Sequence, residues 1–99
     1  MFDLFILRKA RNDLRKIKKD TLKDWGEDQA EHYLGEIDAR LEKLQHFPES
    51  GRACDEVRRG YRKEPVGRHI IFYYIEKETI IVSRILHQKR DFKPLLERS

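Results

Sequence analysis

Four side chains in the second half of the chain have the types and spacing for general acid–base work on a phosphodiester: Arg62, His69, Arg84 and His87. Cleavage at a ribose 2′-hydroxyl needs a base for the hydroxyl proton, an acid for the leaving oxygen and cations against the phosphate. His69 opens one apolar run and His87 closes the next, so in an antiparallel hairpin the two imidazoles meet at one end of a sheet. Arg84 lies three residues before His87 and points to the opposite face unless the strand bulges. The competing reading gives both histidines a structural role, capping strand ends and bonding backbone. Metal chemistry has little support, because His32, His46, His69 and His87 are scattered and no Cys-x-x-Cys occurs. No metal and no cofactor is expected. Cys54, between Ala53 and Asp55 with no evident base, reads as a packed or idle thiol.

The elements that position these groups follow from periodicity. Phe2 to Leu7 is a short β-rich run and predicts a first strand. Ala10, Leu14, Ile17, Thr21 and Trp25 then recur at steps of three and four, one face of a helix that Gly26 ends. A second helix starts near Glu27, carries its stripe on Ala30, Tyr33, Leu34, Ile37, Leu41 and Leu44, and stops at Pro48. With only Gly26 between them, the two helices fold back as an antiparallel hairpin. Residues 8–19 hold seven cations against Asp13, and residues 27–42 hold six acids against Arg40, so Coulomb attraction across the hairpin is expected. Past the turn-rich loop Phe47 to Arg52 the period becomes two. Val57 to Lys63 reads as a half-buried or edge strand, Pro65-Val66-Gly67 as a turn, and His69 to Ile75 and Thr79 to His87 as central strands joined by a short loop. The tail from Gln88 predicts a last helical turn through Leu95 and Leu96. The expected architecture is α+β in two layers, an N-terminal strand and helical hairpin packed on an antiparallel β-sheet, with residues 1–99 forming one domain.

Charge narrows the partners. The net charge is +4, and residues 1–47 balance ten cations with ten acids, so the excess sits in the second half. Arg58, Arg59, Arg62, Lys63 and Arg68 crowd eleven residues against Glu64 alone, a patch suited to an anionic partner or, more plainly, a charge-protected strand edge. A single cysteine fits a reducing cytoplasm. No apolar stretch approaches the roughly 18 residues of a membrane span, and the start is too short for a signal peptide. The expected location is cytoplasmic, with no membrane contact.

Five segments carry a family resemblance. Trp25-Gly26-Glu27-Asp28-Gln29-Ala30 with Tyr33 resembles the W-G-x-x-Q-A-x-x-Y helical junction of ParE toxins. Phe47-Pro48-Glu49-Ser50-Gly51-Arg52 resembles their P-x-x-G-R loop, and Asp55 to Arg62 their D-x-x-R-x-G-Y-R strand. His69 to Tyr73 and Arg84 to His87 resemble the H-x-I-F-Y and R-I-L-H strands. The resemblance implies the RelE/ParE fold, inhibition of DNA gyrase without a catalytic site, and neutralisation by a ParD-like antitoxin whose C-terminal segment wraps the toxin. It also implies a role in plasmid or locus maintenance, with operator DNA contacted only through the antitoxin complex.

Arg58, Arg59, Arg62, Lys63, His69, Arg84 and His87 are therefore candidates for gyrase interaction. An apolar groove over the hairpin is the expected antitoxin site, with Trp25, Tyr33, Ile37 and Leu41 as candidates. Ile37 and Leu41 suit the core better than the groove, and Trp25 and Tyr33 are the stronger candidates, amphipathic at what is taken as the hairpin's open end. The rival function is a ribosome-dependent mRNA endonuclease of the RelE type. That branch places a Tyr or His acid in its C-terminal tail, whereas here nothing after His87 is Tyr or His. A third reading is a binding module whose toxicity has decayed.

Overall fold

The computed structural model describes residues 1–90 and 93–97. Its elements are β1 (Asp3–Ile6), α1 (Arg8–Trp25), α2 (Glu27–His46), β2 (Arg52–Ala53), β3 (Arg62–Val66), β4 (His69–Glu76), β5 (Thr79–His87) and α3 (Lys93–Glu97). Both helices fall where the apolar spacing puts them. The Gly26 N–H bonds back to the Leu22 carbonyl, and its φ of 89° is open to glycine at little cost. The sheet order is β1-β5-β4-β3-β2, and all pairings are antiparallel except β1 with β5, which is parallel.

The hairpin covers one sheet face. Ala10 and Ile17 from α1 and Ile37, Leu41 and Leu44 from α2 bury against Val66, Ile71, Tyr73, Ile80, Val82 and Ile85. On the other face, Phe72 and Leu86 pack with Cys54, Val57 and Tyr61 and with Leu96 of α3, so the predicted last helical turn closes a second, smaller core. The two faces alternate along β4 as strand geometry requires.

The strand predicted over Val57 to Lys63 is displaced. Residues 54–61 form consecutive turns instead, closed by Cys54 N–H to Tyr61 O at 2.8 Å and by Gly60 N–H to the Asp55 carboxylate at 2.7 Å. Val57 and Tyr61 go inward while Arg58 and Arg59 stay exposed, which imitated a period of two. The strand begins at Arg62 and runs through Pro65 and Val66, which were expected to turn; only Gly67 and Arg68 do. The Pro65 carbonyl accepts from Arg40, and β2 covers β3 only at Arg62 and Lys63, so Pro65 stands on an edge strand beyond the reach of β2, a position where proline is tolerated.

The expected attraction between α1 and α2 is absent as ion pairs: among the described residues no pair joins the two helices. Charge fixes the hairpin to the sheet instead. Buried Glu64 of β3 accepts from Arg40 at 3.1 Å and Lys43 at 3.3 Å, both on α2. Asp13 of α1 binds Arg84 in a fork at 2.8 and 2.9 Å and takes the Ile85 N–H at 3.0 Å. β1 covers β5 only as far as Val82, so Asp13 serves the edge that β1 leaves bare. Strand β5 bulges at Ser83, since Phe72 faces Arg84 while Tyr73 faces Val82.

Asp13→Ala should lower the free energy of unfolding by about 2–3 kcal/mol, the scale of charged hydrogen bonds lost from a site with only 12% side-chain exposure on each partner. Urea unfolding checks this, and a loss below about 0.5 kcal/mol would refute the anchoring role.

Candidate functional site

One end of the sheet gathers residues that the sequence had assigned to two different partners. His69 and His87 face each other across β4 and β5, with ring centroids 5.3 Å apart and edge-on, as their strand positions foretold. Tyr33 of α2 reaches the same end, and so does Trp25. The hairpin end that carries Trp25 is the closed one, at the Gly26 turn, rather than the open one. A cavity of about 170 Å³ brings His69 and His87 together with Asp20, Asp24, Trp25 and Arg68. A neighbouring hollow of about 310 Å³ is shared by Trp25, Gln29, Tyr33 and Arg68.

The Tyr33 hydroxyl organises this end. It lies 3.1 Å from the Val66 carbonyl, 3.0 Å from the Arg68 N–H and 2.6 Å from His69 Nδ1. Burial raises its pKa, so the proton stays on. One assignment satisfies all three contacts. The Arg68 N–H and a protonated His69 Nδ1 donate to the oxygen, and the hydroxyl donates to Val66. His69 is then neutral with a free lone pair on Nε2. Its pKa is lowered to about 4, first by burial and then by His87 and Arg68. The His87 Nδ1 accepts the Lys89 N–H at 3.2 Å, so its own proton or a ligand falls to Nε2. Gly67 turns with φ 54°, and a Cβ there would run into the Tyr33 ring. Trp25 is 58% exposed, and its ring stacks under the Arg68 guanidinium at 5.5 Å.

The other candidates disperse. Arg84 is held by Asp13, a pairing that raises its pKa further. Arg62 folds inward to the Glu49 and Gly51 carbonyls at 3.2 and 2.7 Å, pinning the loop that Tyr73 also ties down through Pro48 O at 2.7 Å. Arg58 lies over Tyr61 and donates to the Leu96 carbonyl at 3.0 Å, fastening α3. Arg59 is exposed on the turn and Lys63 half-buried in β3. Ile37 and Leu41 are core at 0% and 3% exposure, which removes them as antitoxin contacts. Their spacing from Leu44 already placed them on the buried stripe. Sequence reasoning missed Asp13, Asp20, Asp24 and Arg68 at these sites, since no local pattern ties them to their partners on other elements. Of the tail residues, Asp91 and Phe92 lie outside the described residues. No helix among the described residues is long and apolar enough to cross a membrane.

Residues 4–92 match the family described as ParE toxin of the type II toxin–antitoxin system parDE. The chain belongs to that family. It is 46% identical over 83 residues to Toxin ParE1 of Mycobacterium tuberculosis, covering 83% of this chain and 85% of the relative. It is 35% identical over 81 residues to Toxin ParE1 of Caulobacter vibrioides, covering 82% and 83%. A solved structure titled as the chromosomal ParDE TA system from P. aeruginosa shares the fold with a TM-score of 0.77 at 21% identity, over 88% of this chain and 96% of that one. The resemblance read from five segments is thereby extended over nearly the whole ParE-family chain.

The lowered His69 pKa makes stability pH-dependent in a defined direction. Between about pH 6.5 and 4 the unfolded chain binds a proton at this position that the folded chain does not. This contribution is whole above about 6.5 and is lost as pH falls toward 4. His69→Asn, whose amide can replace the Nδ1 donor, should flatten the fall of the thermal midpoint across that window. Parallel midpoint-versus-pH curves for the two proteins would count against the assignment.

Proposed function

We propose that this ParE-family chain inhibits DNA gyrase without catalysis, is neutralised by a ParD-like antitoxin encoded beside it, and works in the cytoplasm. Membership of the ParE family is the observation that carries the reading. In this proposal the toxin touches operator DNA only through the antitoxin complex.

The arrangement of charge agrees with a binding role. A nuclease would need free cations around the scissile phosphate. Arg84 and Arg62 are spent on Asp13 and on the loop after α2. Arg68 does sit beside the two histidines, but Asp20 and Asp24 line the same cavity and oppose a phosphodiester. With a pKa of about 4, His69 is also a weak base for a ribose hydroxyl. The proposed gyrase-contacting surface is the Arg58–Arg59 turn with Lys63, and the sheet end carrying His69 and His87. Arg62 supports it through the loop backbone it holds, and Arg84 through its pairing with Asp13. The antitoxin is proposed to use Trp25, whose exposed indole beside Arg68 has the make-up of an interface anchor.

Purified toxin at micromolar concentration should block gyrase supercoiling or trap cleaved DNA, and no effect on either would sink the gyrase reading. Mapping of mRNA ends after induction should show no codon-periodic cuts; their appearance would establish the RelE-type endonuclease instead. Trp25→Ala should weaken antitoxin binding by about tenfold or more, the loss of roughly 1.4 kcal/mol at an anchor. An unchanged dissociation constant removes Trp25 from the interface.

A further inference from the structure

The solvent side of α1 carries a continuous band of positive charge. The helix packs on the sheet through Ala10, Leu14 and Ile17. At about 3.6 residues per turn, Arg8, Lys9, Arg15, Lys16, Lys19 and Lys23 fall within one sector of about 120° on the opposite side. Asn12 is the only other residue in that sector, and all seven side chains are exposed. The sector therefore holds no acid and no apolar group. From Arg8 to Lys23 it runs about 22 Å along the helix axis. The groove toward α2 lies to one side of it, past Lys18 and Leu22, and the histidine cavity to the other, past Asp20 and Asp24.

These charges are not consumed inside the molecule. Of the six, only Lys16 meets a carboxylate among the described residues, Asp20 at 3.2 Å, and both side chains of that pair are more than half exposed. Arg15 reaches only the Asn12 side-chain carbonyl, at 2.7 Å. The arrangement also works against the helix. Its first turn has Arg8 and Lys9 and no acid, opposite to the preference of the helix dipole. Arg15, Lys19 and Lys23 stand at successive four-residue steps, where like charges repel. With Lys18 and Leu22 these three line a hollow of about 490 Å³ that no acid borders. An extended anion laid along α1 would relieve all of this repulsion at once.

We propose that this face of α1 lies along the phosphate backbone of duplex DNA and binds it without regard to sequence. Other occupants fit less well. A protein partner draws most of its binding energy from aromatic and other large anchors, and the sector offers none beyond its arginines. A lipid surface needs an apolar helix side, and that of α1 is buried on the sheet. Single strands are held by aromatic platforms as well as by charge, and no ring stands in the sector. Duplex DNA presents a charge about every 1.7 Å along a stiff axis, so about 22 Å of helix passes roughly a dozen phosphates, and cations alone suffice to hold it. The contact reads no bases and is distinct from operator recognition. It stands apart from the gyrase reading. Its use, concentrating the inhibitor on the DNA that gyrase holds, rests on that reading.

The probes are a fluorescent duplex of about 30 base pairs and a single strand of the same length, titrated with the intact toxin from about 50 to about 200 mM NaCl. The duplex should bind in the micromolar range at the lowest salt. The logarithm of the binding constant should fall with the logarithm of salt at a slope of about −4 to −5, and a change of duplex sequence should matter less than twofold. The triple variant Arg15→Gln, Lys19→Gln, Lys23→Gln should bind at least tenfold more weakly and lose about 2.7 from the slope, with its urea midpoint kept or raised. A control triple removes the same charge elsewhere, through Arg52→Gln, Lys77→Gln and Lys89→Gln, and should stay within threefold of wild type. No binding at low salt, tighter binding to the single strand, or equal losses from the two triples overturns the proposal. In a supercoiling assay the α1 triple should need several times more toxin for half-inhibition. Equal potency there refutes the use in inhibition and leaves the DNA contact standing, whereas a wild-type toxin that never inhibits gyrase removes the gyrase reading alone.

Discussion

The carboxylate of Asp13 is the constraint on which this fold turns. A parallel edge strand as short as β1 leaves the far half of β5 without a neighbour on its outer side, and bare donors there invite misplaced pairing. Asp13 closes that edge by taking the Ile85 N–H and the Arg84 guanidinium together. The contact fixes the position of α1 along the sheet. It therefore also fixes where the Gly26 turn brings Trp25 and where Thr21, Asp20 and Asp24 stand against His69 and His87. On the opposite flank Glu64 holds α2 through Arg40 and Lys43, and Tyr33 ties α2 to the β3–β4 turn. Apolar burial supplies the bulk of the attraction between the layers, but it is non-directional. The polar anchors choose one placement among the many that would bury similar area.

These anchors explain why a strongly basic chain shows so little free positive charge at its sheet. Arg58 fastens α3, Arg62 fastens the loop after α2, and Arg84 completes the Asp13 site. Each is pointed at backbone or at a carboxylate, and each joins segments far apart in the chain. The cations of α1 are different. Arg15, Lys18, Lys19 and Lys23 line hollows on the outer side of the hairpin, opposite the acids of α2. The surface most suited to a charged partner is accordingly the one that looked in the sequence like two helices attracting each other.

Legibility followed the range of the interactions. Both helices, the glycine between them and the two central strands could be read because each is specified by spacing within a dozen residues. The meeting of His69 and His87 was readable for the same reason, since a short hairpin loop sets the register. The strand expected over Val57 to Lys63 was misread because two turns can place apolar residues at intervals that mimic alternation, and the Asp55–Gly60 bond that decides the matter is invisible to periodicity. The antitoxin candidates divided likewise. Ile37 and Leu41 belong to the stripe that faces the sheet, while Trp25 stands exposed beside Arg68.

By itself, then, the sequence determined the α+β class, the helical hairpin, the central strand pair and membership of the ParE family. All of these rest on local periodicity or on short ordered motifs. Only the tertiary structure decided that Arg62 and Arg84 are anchors, that burial beside His87 and Arg68 holds His69 neutral, and that Trp25, Arg68 and both histidines line one cavity. The reason is physical. A side chain's role depends on which charges and dipoles lie within a few ångströms of it, and here those belong to residues up to 72 positions away, brought close only when the hairpin docks on the sheet.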